Sequence, residues 1–139
     1  MTFQYAPAPE STAIVNINSS NDLFINGEFT PGHGNPFKTI NPATEEVLAE
    51  IAHSIEEDVN AAVMAARKAY DKTWSKMSGR DRGKYLFRIA RLIQERSREL
   101  AVLETLDNGK PIRESRDVDI PIAAAHFFYH AGWADKLEF

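Results

Sequence analysis

Cysteine is absent from this 139-residue chain. Without a thiol, the chain can form no disulfide, no thiolate metal site and no cysteine nucleophile. No apolar run approaches the roughly 20 residues of a membrane-spanning helix, and the amino terminus has no basic segment followed by an apolar one. We therefore expect no membrane partner, and we expect the protein in the cytoplasm.

Positive charge is not in excess either. The chain has 16 Lys and Arg against 20 Asp and Glu, a net charge of -4 and a sequence pI ≈ 5.6. Seven basic residues do cluster between Arg80 and Arg98, but Asp81, Glu95 and Glu99 interleave with them. That mixture is typical of the solvated face of an amphipathic helix, and phosphate binding needs a clear positive surplus. We expect no nucleic-acid partner.

Glycine is sparse, and no glycine stands in a G-x-G-x-x-G or G-x-x-x-x-G-K-S/T frame. The sequence thus predicts no phosphate-binding loop, and we expect no cofactor to bind these residues alone. His126 and His130 are four residues apart, a spacing that suits metal ligands, but no third ligand accompanies them and aromatic residues surround them. Helix packing is the better interpretation of this pair, and no catalytic residue can be assigned.

Strand signals fill the first third of the chain. Residues 1–22 predict a flexible arm with at most one short strand near Ala13–Val15. Two apolar runs around Asn26-Gly27 predict a hairpin, since that dipeptide tolerates positive φ. Two further strands are expected at 37–41 and 46–52, giving a small antiparallel meander.

Helical periodicity follows from Ser54 onward. Capping boxes at Ser54/Glu57 and Ser78/Asp81 predict two helix starts. The second apolar stripe is interrupted near Ser97 and ends at Asn108-Gly109, where glycine can adopt the left-handed conformation. A last helix is expected from Asp117 or Asp119 to Trp133, with Pro121 in its first turn. The chain as it stands is predicted to be α+β, a small β-hairpin and meander followed by three to four helices.

Four phrases stand in a characteristic order: Leu23–Glu28 (LFINGE), Ile40–Glu45 (INPATE), Leu103–Pro111 (LETLDNGKP) and His130–Lys136 (HAGWADK). In these phrases the chain resembles the amino-terminal part of the NAD(P)-dependent aldehyde dehydrogenase superfamily. The resemblance implies a fragment of that α/β fold. Residues 23–139 would then be an amino-terminal segment that forms part of the cofactor-binding domain, with the catalytic domain absent.

The resemblance also implies a function for the longer parent. Family members oxidise an aldehyde to a carboxylic acid with NAD or NADP through a cysteine nucleophile. Neither that cysteine nor the cofactor loops match anything in these residues, so the implied role is a scaffold that is inactive alone. Its implied partners are the remainder of its own polypeptide or sister subunits of a homo-oligomer. The alternative is a stand-alone, non-catalytic helical interaction or oligomerisation module.

Two minor site roles follow from the same resemblance. The backbone carbonyls of Thr39 and Ile40 and the carboxylate of Asp107 match positions that hold a structural cation in several relatives, and such oxygen ligands suit a hard ion. Alternatively, Asp107 only braces a helix end. Ile122, with His126 one turn on, matches the helix that lines the substrate tunnel, although plain core packing is the alternative and Pro121 departs from several relatives.

Overall fold

Five short strands precede the helices in the computed structural model, which describes residues 10–136. They are β1 (Ser20–Asn21), β2 (Leu23–Ile25), β3 (Glu28–Thr30), β4 (Gly34–Ile40) and β5 (Val47–His53). Strands β2 and β3 form the predicted hairpin, with Asn26 at φ 56 and Gly27 at φ 88. Positive φ at both central residues is the conformation that Asn-Gly favours in a two-residue hairpin loop.

The predicted hairpin and the predicted antiparallel pair at 37–41 and 46–52 are both present, but they lie in two separate sheets. The β2–β3 hairpin forms one sheet alone, while the other has the order β1-β5-β4. Strand β4 pairs with β5 antiparallel, and β1 pairs with β5 parallel. The Glu50 N–H donates to the Ser19 carbonyl at 2.9 Å and extends that parallel pairing. The arm thereby occupies the β5 edge that a continuing meander would have used.

The expected strand near Ala13–Val15 is instead a 3₁₀ turn, Thr12–Ile14. The Ser11 hydroxyl caps this turn by accepting from the Ala13 N–H at 3.2 Å, a bond that competes with extended pairing. Residues 1–9 of the predicted arm lie outside the described residues. The flexibility of the arm and the boundary at residue 22 stay predictions.

Helices occupy most of the remaining chain, which confirms the α+β prediction. They are α1 (Glu56–Lys72), α2 (Gly79–Glu95), α3 (Ser97–Asn108), α4 (Ile112–Glu114) and α5 (Ile120–Trp133). A 3₁₀ turn (Trp74–Lys76) follows α1, and a π turn (Ser115–Asp119) joins α4 to α5. Over residues 10–136, none of these helices combines the length and the apolar character needed to cross a membrane.

One of the two predicted helix caps is confirmed. The Ser78 hydroxyl accepts from the Asp81 N–H at 3.1 Å at the start of α2. The box predicted at Ser54/Glu57 is wrong by one residue, because the Asp58 carboxylate accepts from the Ile55 N–H at 2.9 Å and α1 begins at Glu56. Asp58 is buried and serves a second chain segment, which favours it over the exposed Glu57.

The last helix begins at Ile120, slightly later than expected, and Pro121 lies in its first turn as predicted. The preceding residues are helical too, but in the π register: the Ile120 N–H bonds the Ser115 carbonyl. In an uninterrupted α-helix the proline ring would clash with the carbonyl four residues earlier. The wider π turn relieves that clash, which explains why the helical path continues through a proline.

The core of the described chain consists of small residues. The most buried hydrophobic side chains are Ala49, Ala90, Ala101, Val102, Ala124 and Ala131. Helix α2 packs on α5 so closely that a Cβ built at Gly83 would lie 3.1 Å from the Ala131 carbonyl oxygen. Many large apolar side chains stay on the surface, among them Phe29, Val63, Met64 and Tyr129.

Candidate functional site

The turn between β4 and β5 packs against the end of α3. Asn41 is buried in that turn, and its Oδ1 accepts from the Ala43 N–H at 2.9 Å. Helix α3 ends as predicted at Gly109, which has φ 78. A Cβ built at Gly109 would lie 2.7 Å from Cγ of Pro42, so the contact admits no larger residue without movement. This contact fixes the position of β4 relative to α3.

The structure brings the predicted cation-site residues together. The Thr39 hydroxyl donates to Oδ1 of Asp107, across 68 residues of sequence. A register irregularity lies between Thr39 and Ile40, and such a bulge releases backbone groups from the ladder. Two carbonyls and one carboxylate are ligands that a hard cation accepts.

No group of three or more His, Cys, Asp or Glu side chains within residues 10–136 is arranged to hold a metal ion. The predicted site offers three oxygens, fewer than the about six to eight that a hard cation such as Ca²⁺ takes, so it would need ligands from elsewhere. The Thr39 hydroxyl already gives Asp107 a structural partner, as the bracing alternative requires. The cation site stays a prediction.

A cavity of about 680 Å³ opens beside this contact, between the arm and sheet on one side and α3 and α5 on the other. Its walls are mostly apolar and include Ile17, Leu48, Leu103 and Ile120. Four carboxylates lie at its rim: Glu99, Glu104, Asp107 and Asp119. We call it the acidic cavity. The cavity is open to solvent on one side, so it is a surface cleft of the described residues and not an interior void.

Not every rim carboxylate is equally paired. Arg96 donates two hydrogen bonds to Glu99, at 2.6 and 2.9 Å. Lys110 is paired with Asp119, and this bond raises the pKa of the lysine. Glu104 approaches Lys110 only at 3.8 Å through Oε1, while its buried Oε2 has no hydrogen-bond partner among the described residues. Oδ2 of Asp119 is likewise buried without a well-oriented hydrogen bond, so Glu104 and Asp119 both rely on the charge of Lys110.

Both predicted tunnel residues, Ile122 and His126, lie on the exposed side of α5. Tyr129 and Trp133 continue the same side at helical spacing, with ring centroids 6.1 Å apart. The Ile122 and His126 side chains are therefore not packed in the core of the described residues. The face is a contiguous apolar and aromatic surface, and its role in a tunnel stays a prediction.

The sequence interpretation missed an ion-pair group that ties the arm to the helices. Glu10 accepts hydrogen bonds from Arg98 at 2.7 and 3.0 Å, and Arg116 lies 3.7 Å away. Only 8% of the Glu10 side chain is exposed, and hydrogen bonding to Arg98 lowers the pKa of its carboxyl group. No local pattern predicts a pair of residues separated by 88 positions.

It also missed a second pair at the start of α1. Asp58 accepts from the His33 N–H at 3.1 Å, and its other oxygen lies 2.5 Å from His33 Nδ1. The Ile55 N–H bond and then the His33 bond lower the pKa of Asp58 to about 2. The bond to Asp58 raises the pKa of His33. The available signal was Asp58 itself, an acidic residue at a helix start. Its partner, His33, is 25 residues away in the sequence.

Comparison with known proteins gives a consistent result. The model of the aldehyde dehydrogenase family matches residues 29–139. Among curated relatives, aldehyde dehydrogenase family 2 member B4, mitochondrial, of Arabidopsis thaliana is 48% identical over 121 residues, 86% of this chain and 22% of that protein. The putative aldehyde dehydrogenase DhaS of Bacillus subtilis is 45% identical over 123 residues, 87% of this chain and 25% of that protein.

Solved structures agree with the sequence comparison. The NAD+ complex of an aldehyde dehydrogenase from Bacillus cereus superposes with a TM-score of 0.84 at 44% identity, covering 88% of this chain and 25% of that one. An indole-3-acetaldehyde dehydrogenase in apo form gives 0.83 at 38% identity, covering 88% and 29%. The chain spans about a quarter of the length of the curated relatives that it matches.

Proposed function

Because this chain belongs to the aldehyde dehydrogenase family, we propose that it is the amino-terminal scaffold of an enzyme that oxidises an aldehyde to a carboxylic acid with NAD or NADP. The chain has no cysteine, so the nucleophile comes from other sequence. Its own contribution is to shape and brace the cofactor-binding domain. On this proposal the 139 residues alone neither turn over an aldehyde nor bind the cofactor.

The observation that carries the proposal is the surplus of uncovered apolar surface. Val63 is 62% exposed and Phe29 is 73% exposed, while the most buried hydrophobic residues are alanines and one valine. A chain of this length that folded for itself would be expected to bury about two-thirds of its unfolded surface around larger side chains. Surfaces of this kind are covered when further protein packs on them.

Two parts of the surface have proposed roles in the assembled enzyme. The exposed side of α5, with Ile122 and His126, would line the path of the incoming aldehyde. Thr39, Ile40 and Asp107 would offer oxygen ligands to a structural cation next to the contact between Pro42 and Gly109. Neither role is catalytic, because neither places a group on the reacting carbon.

Partners and location are further parts of the proposal. The rest of the polypeptide and sister subunits of a homo-oligomer would cover the apolar faces. We propose a cytoplasmic location, although several relatives are named as mitochondrial enzymes. Fractionation of cells that express the protein tests the location, and enrichment with a mitochondrial marker would overturn it.

A covalent chimera tests the scaffold role directly. Residues 10–136 of this chain replace the corresponding quarter of the Bacillus cereus enzyme, and NADH formation from a panel of aldehydes is measured. We expect turnover by the chimera and none by the 139-residue chain.

The matched control replaces the same quarter with a shuffled sequence of equal composition, which should give insoluble or inactive protein. A soluble, folded chimera without turnover would contradict the scaffold proposal. A 139-residue chain that stays monomeric and captures no hydrophobic dye would instead favour the stand-alone module.

A further inference from the structure

Two Asn-Gly dipeptides occur in the chain, Asn26-Gly27 and Asn108-Gly109. Such a dipeptide can react with itself, because glycine has no side chain to shield its backbone nitrogen from the preceding side-chain amide. The nitrogen attacks Cγ of asparagine, the bond between Cγ and the side-chain nitrogen breaks, and ammonia leaves with the proton of the glycine N–H. Water then opens the cyclic imide and gives aspartate or isoaspartate, without an oxidant or an enzyme.

The folded backbone prevents this cyclisation at both positions. Asn26 is left-handed, with φ 56 in a two-residue hairpin loop, and Asn108 is the last residue of α3. In neither conformation do Cγ and the next backbone nitrogen lie on the same side of the Cα–C bond, as closure of a five-membered ring requires. Each reaction therefore needs local opening of the structure, and its rate depends on the free energy of that opening.

The hairpin that carries Asn26 is weakly held. Its sheet consists of β2 and β3, with three residues each, and neither strand contains a buried residue. Phe24 and Phe29 are 63% and 73% exposed, and their rings pair with each other at a centroid distance of 5.0 Å. Among residues 10–136, no backbone carbonyl accepts from the Gly27 N–H. Because a two-stranded hairpin is only marginally stable by itself, opening at Asn26 costs little free energy.

Asn108 lies in a firmly held segment by contrast. The Gly109 N–H donates to the Thr105 carbonyl at 2.9 Å, so the nitrogen that would react is bonded to the end of α3. Gly109 also packs against Pro42, so closely that an added Cβ would lie 2.7 Å from Cγ of the proline. The same helix contributes two buried residues to the core. Opening at Asn108 therefore breaks tertiary contacts as well as a hydrogen bond.

We propose that Asn26 is a site of spontaneous deamidation, and that the fold protects Asn108 from the same reaction. The inference uses only contacts within this chain, so it does not depend on the proposed function. Isoaspartate inserts an extra backbone carbon into the two-residue loop, which then no longer matches the turn that joins β2 to β3. The modification therefore favours the open hairpin.

Timed incubation of the 139-residue chain at mildly alkaline pH tests the proposal. After digestion, mass spectrometry with electron-transfer fragmentation measures aspartate and isoaspartate at each Asn-Gly position. We expect Asn26 to convert about tenfold faster than Asn108, or more, because the two segments differ in opening free energy. Synthetic peptides of residues 21–32 and 103–114 give the rates without structure and correct for any intrinsic difference.

Two outcomes of the incubation overturn the proposal. Equal corrected rates, or faster conversion at Asn108, would show that the hairpin opens no more readily than the end of α3. An Asn26 that stays unmodified while its peptide reacts would show that the hairpin remains closed. Asn108 is the matched control within the same sample, since it shares the dipeptide, the solvent and the incubation time.

Urea below the unfolding midpoint distinguishes opening of the hairpin from unfolding of the whole chain. Hairpin opening exposes little surface, so the Asn26 rate should change little with urea until global unfolding begins. The Asn108 rate should rise with the unfolded fraction that circular dichroism measures. An Asn26 rate that rises in parallel with the Asn108 rate would mean that the hairpin opens only with the rest of the chain, and would overturn the proposal.

Discussion

The α2–α5 pair and the sheet–α3 side of this molecule solve the packing problem differently. Along α2 and α5, glycine and alanine let two helices approach until a Cβ at Gly79 would lie 2.2 Å from the Ala134 carbonyl oxygen. Between the sheet and α3, a cavity of about 680 Å³ remains. One interface is closed by its own residues, and the other stays open. A fragment of a larger fold can therefore contain a finished interface next to an unfinished one.

Gly79→Ala should have the largest effect of these substitutions, because it disrupts the closed α2–α5 interface. The added methyl group would meet backbone atoms of Ala134 and Asp135, which cannot rotate away. We expect a loss of about 3 kcal/mol in unfolding free energy, the upper end for overpacking a tight contact. Urea denaturation followed by circular dichroism measures it, with exposed Arg80→Ala as the neighbouring control. A Gly79→Ala midpoint equal to that of the control would show that the helix pair is loose.

Gly109→Ala should be the next largest effect. Gly109 has φ 78, and its Cβ would lie 2.7 Å from Pro42 Cγ, so strain and contact add. We expect a loss of about 2 kcal/mol. Gly132→Ala is the matched control, because no atom lies within 4 Å of its Cβ and it should gain roughly 0.5–1 kcal/mol from helix propensity. Changes of the same sign in both variants would contradict this explanation.

Two adjacent residues of α3 sharpen the contrast between the closed and open regions. Val102 is buried, whereas Leu103 borders the acidic cavity. We expect Val102→Ala to cost about 2 kcal/mol and Leu103→Ala less than about 1 kcal/mol in the isolated chain, although leucine loses more atoms. Urea midpoints compare the two variants. The reverse order would mean that the cavity side of α3 is as well packed as its buried side.

The smallest expected effect is the pH dependence of the Asp58–His33 contact. The Asp58 pKa is lowered to about 2, so its stabilisation is present above the ordinary value near 3.8 and is lost as pH falls through about 2. The His33 pKa is raised, with contributions from Asp58 and Glu57, so its stabilisation is complete below about 6.5 and is lost as pH rises through the folded value.

Backbone-amide exchange at Ile55 and Val59 across this pH range, corrected for intrinsic exchange, follows the start of α1. His33→Gln should abolish the alkaline loss and keep the acid one, while Asp58→Asn should abolish the acid loss and leave only the smaller alkaline part that Glu57 contributes. A His33→Gln profile that superimposes on that of the unmodified chain would rule out the histidine contribution.

Local signals explain what the sequence predicted well. Asn26-Gly27, the Ser78 cap and Gly109 each act within a few residues, so backbone conformation alone determines them. The four family phrases added the fold of the whole segment, and the comparisons confirmed it. The cap was predicted at Glu57, one residue before Asp58. The sequence does not show that the distant His33 N–H also bonds the Asp58 carboxylate.

Long-range contacts explain what the sequence could not predict. The pairing of Glu10 with Arg98 joins elements that no helical or strand period relates. The parallel pairing of β1 with β5 depends on where the arm is held. The acidic cavity exists because no side chain of the described residues fills it. No sequence pattern within these residues predicts such a gap. Thr39 and Asp107 were linked only through the family resemblance, never through their spacing.

The hydrogen bond between Thr39 and Asp107 has a consequence for biosynthesis. Strand β4 leaves the ribosome 68 residues before the helix that braces it. At roughly 5–20 residues per second, about 3–14 s pass before the bracing helix is made. During that interval, the β5 edge can already pair with β1, but β4 lacks its final tertiary support, and unpaired strand edges are the usual starting points of aggregation. Codon choice and chaperone supply over this stretch are therefore expected to govern the yield of soluble protein.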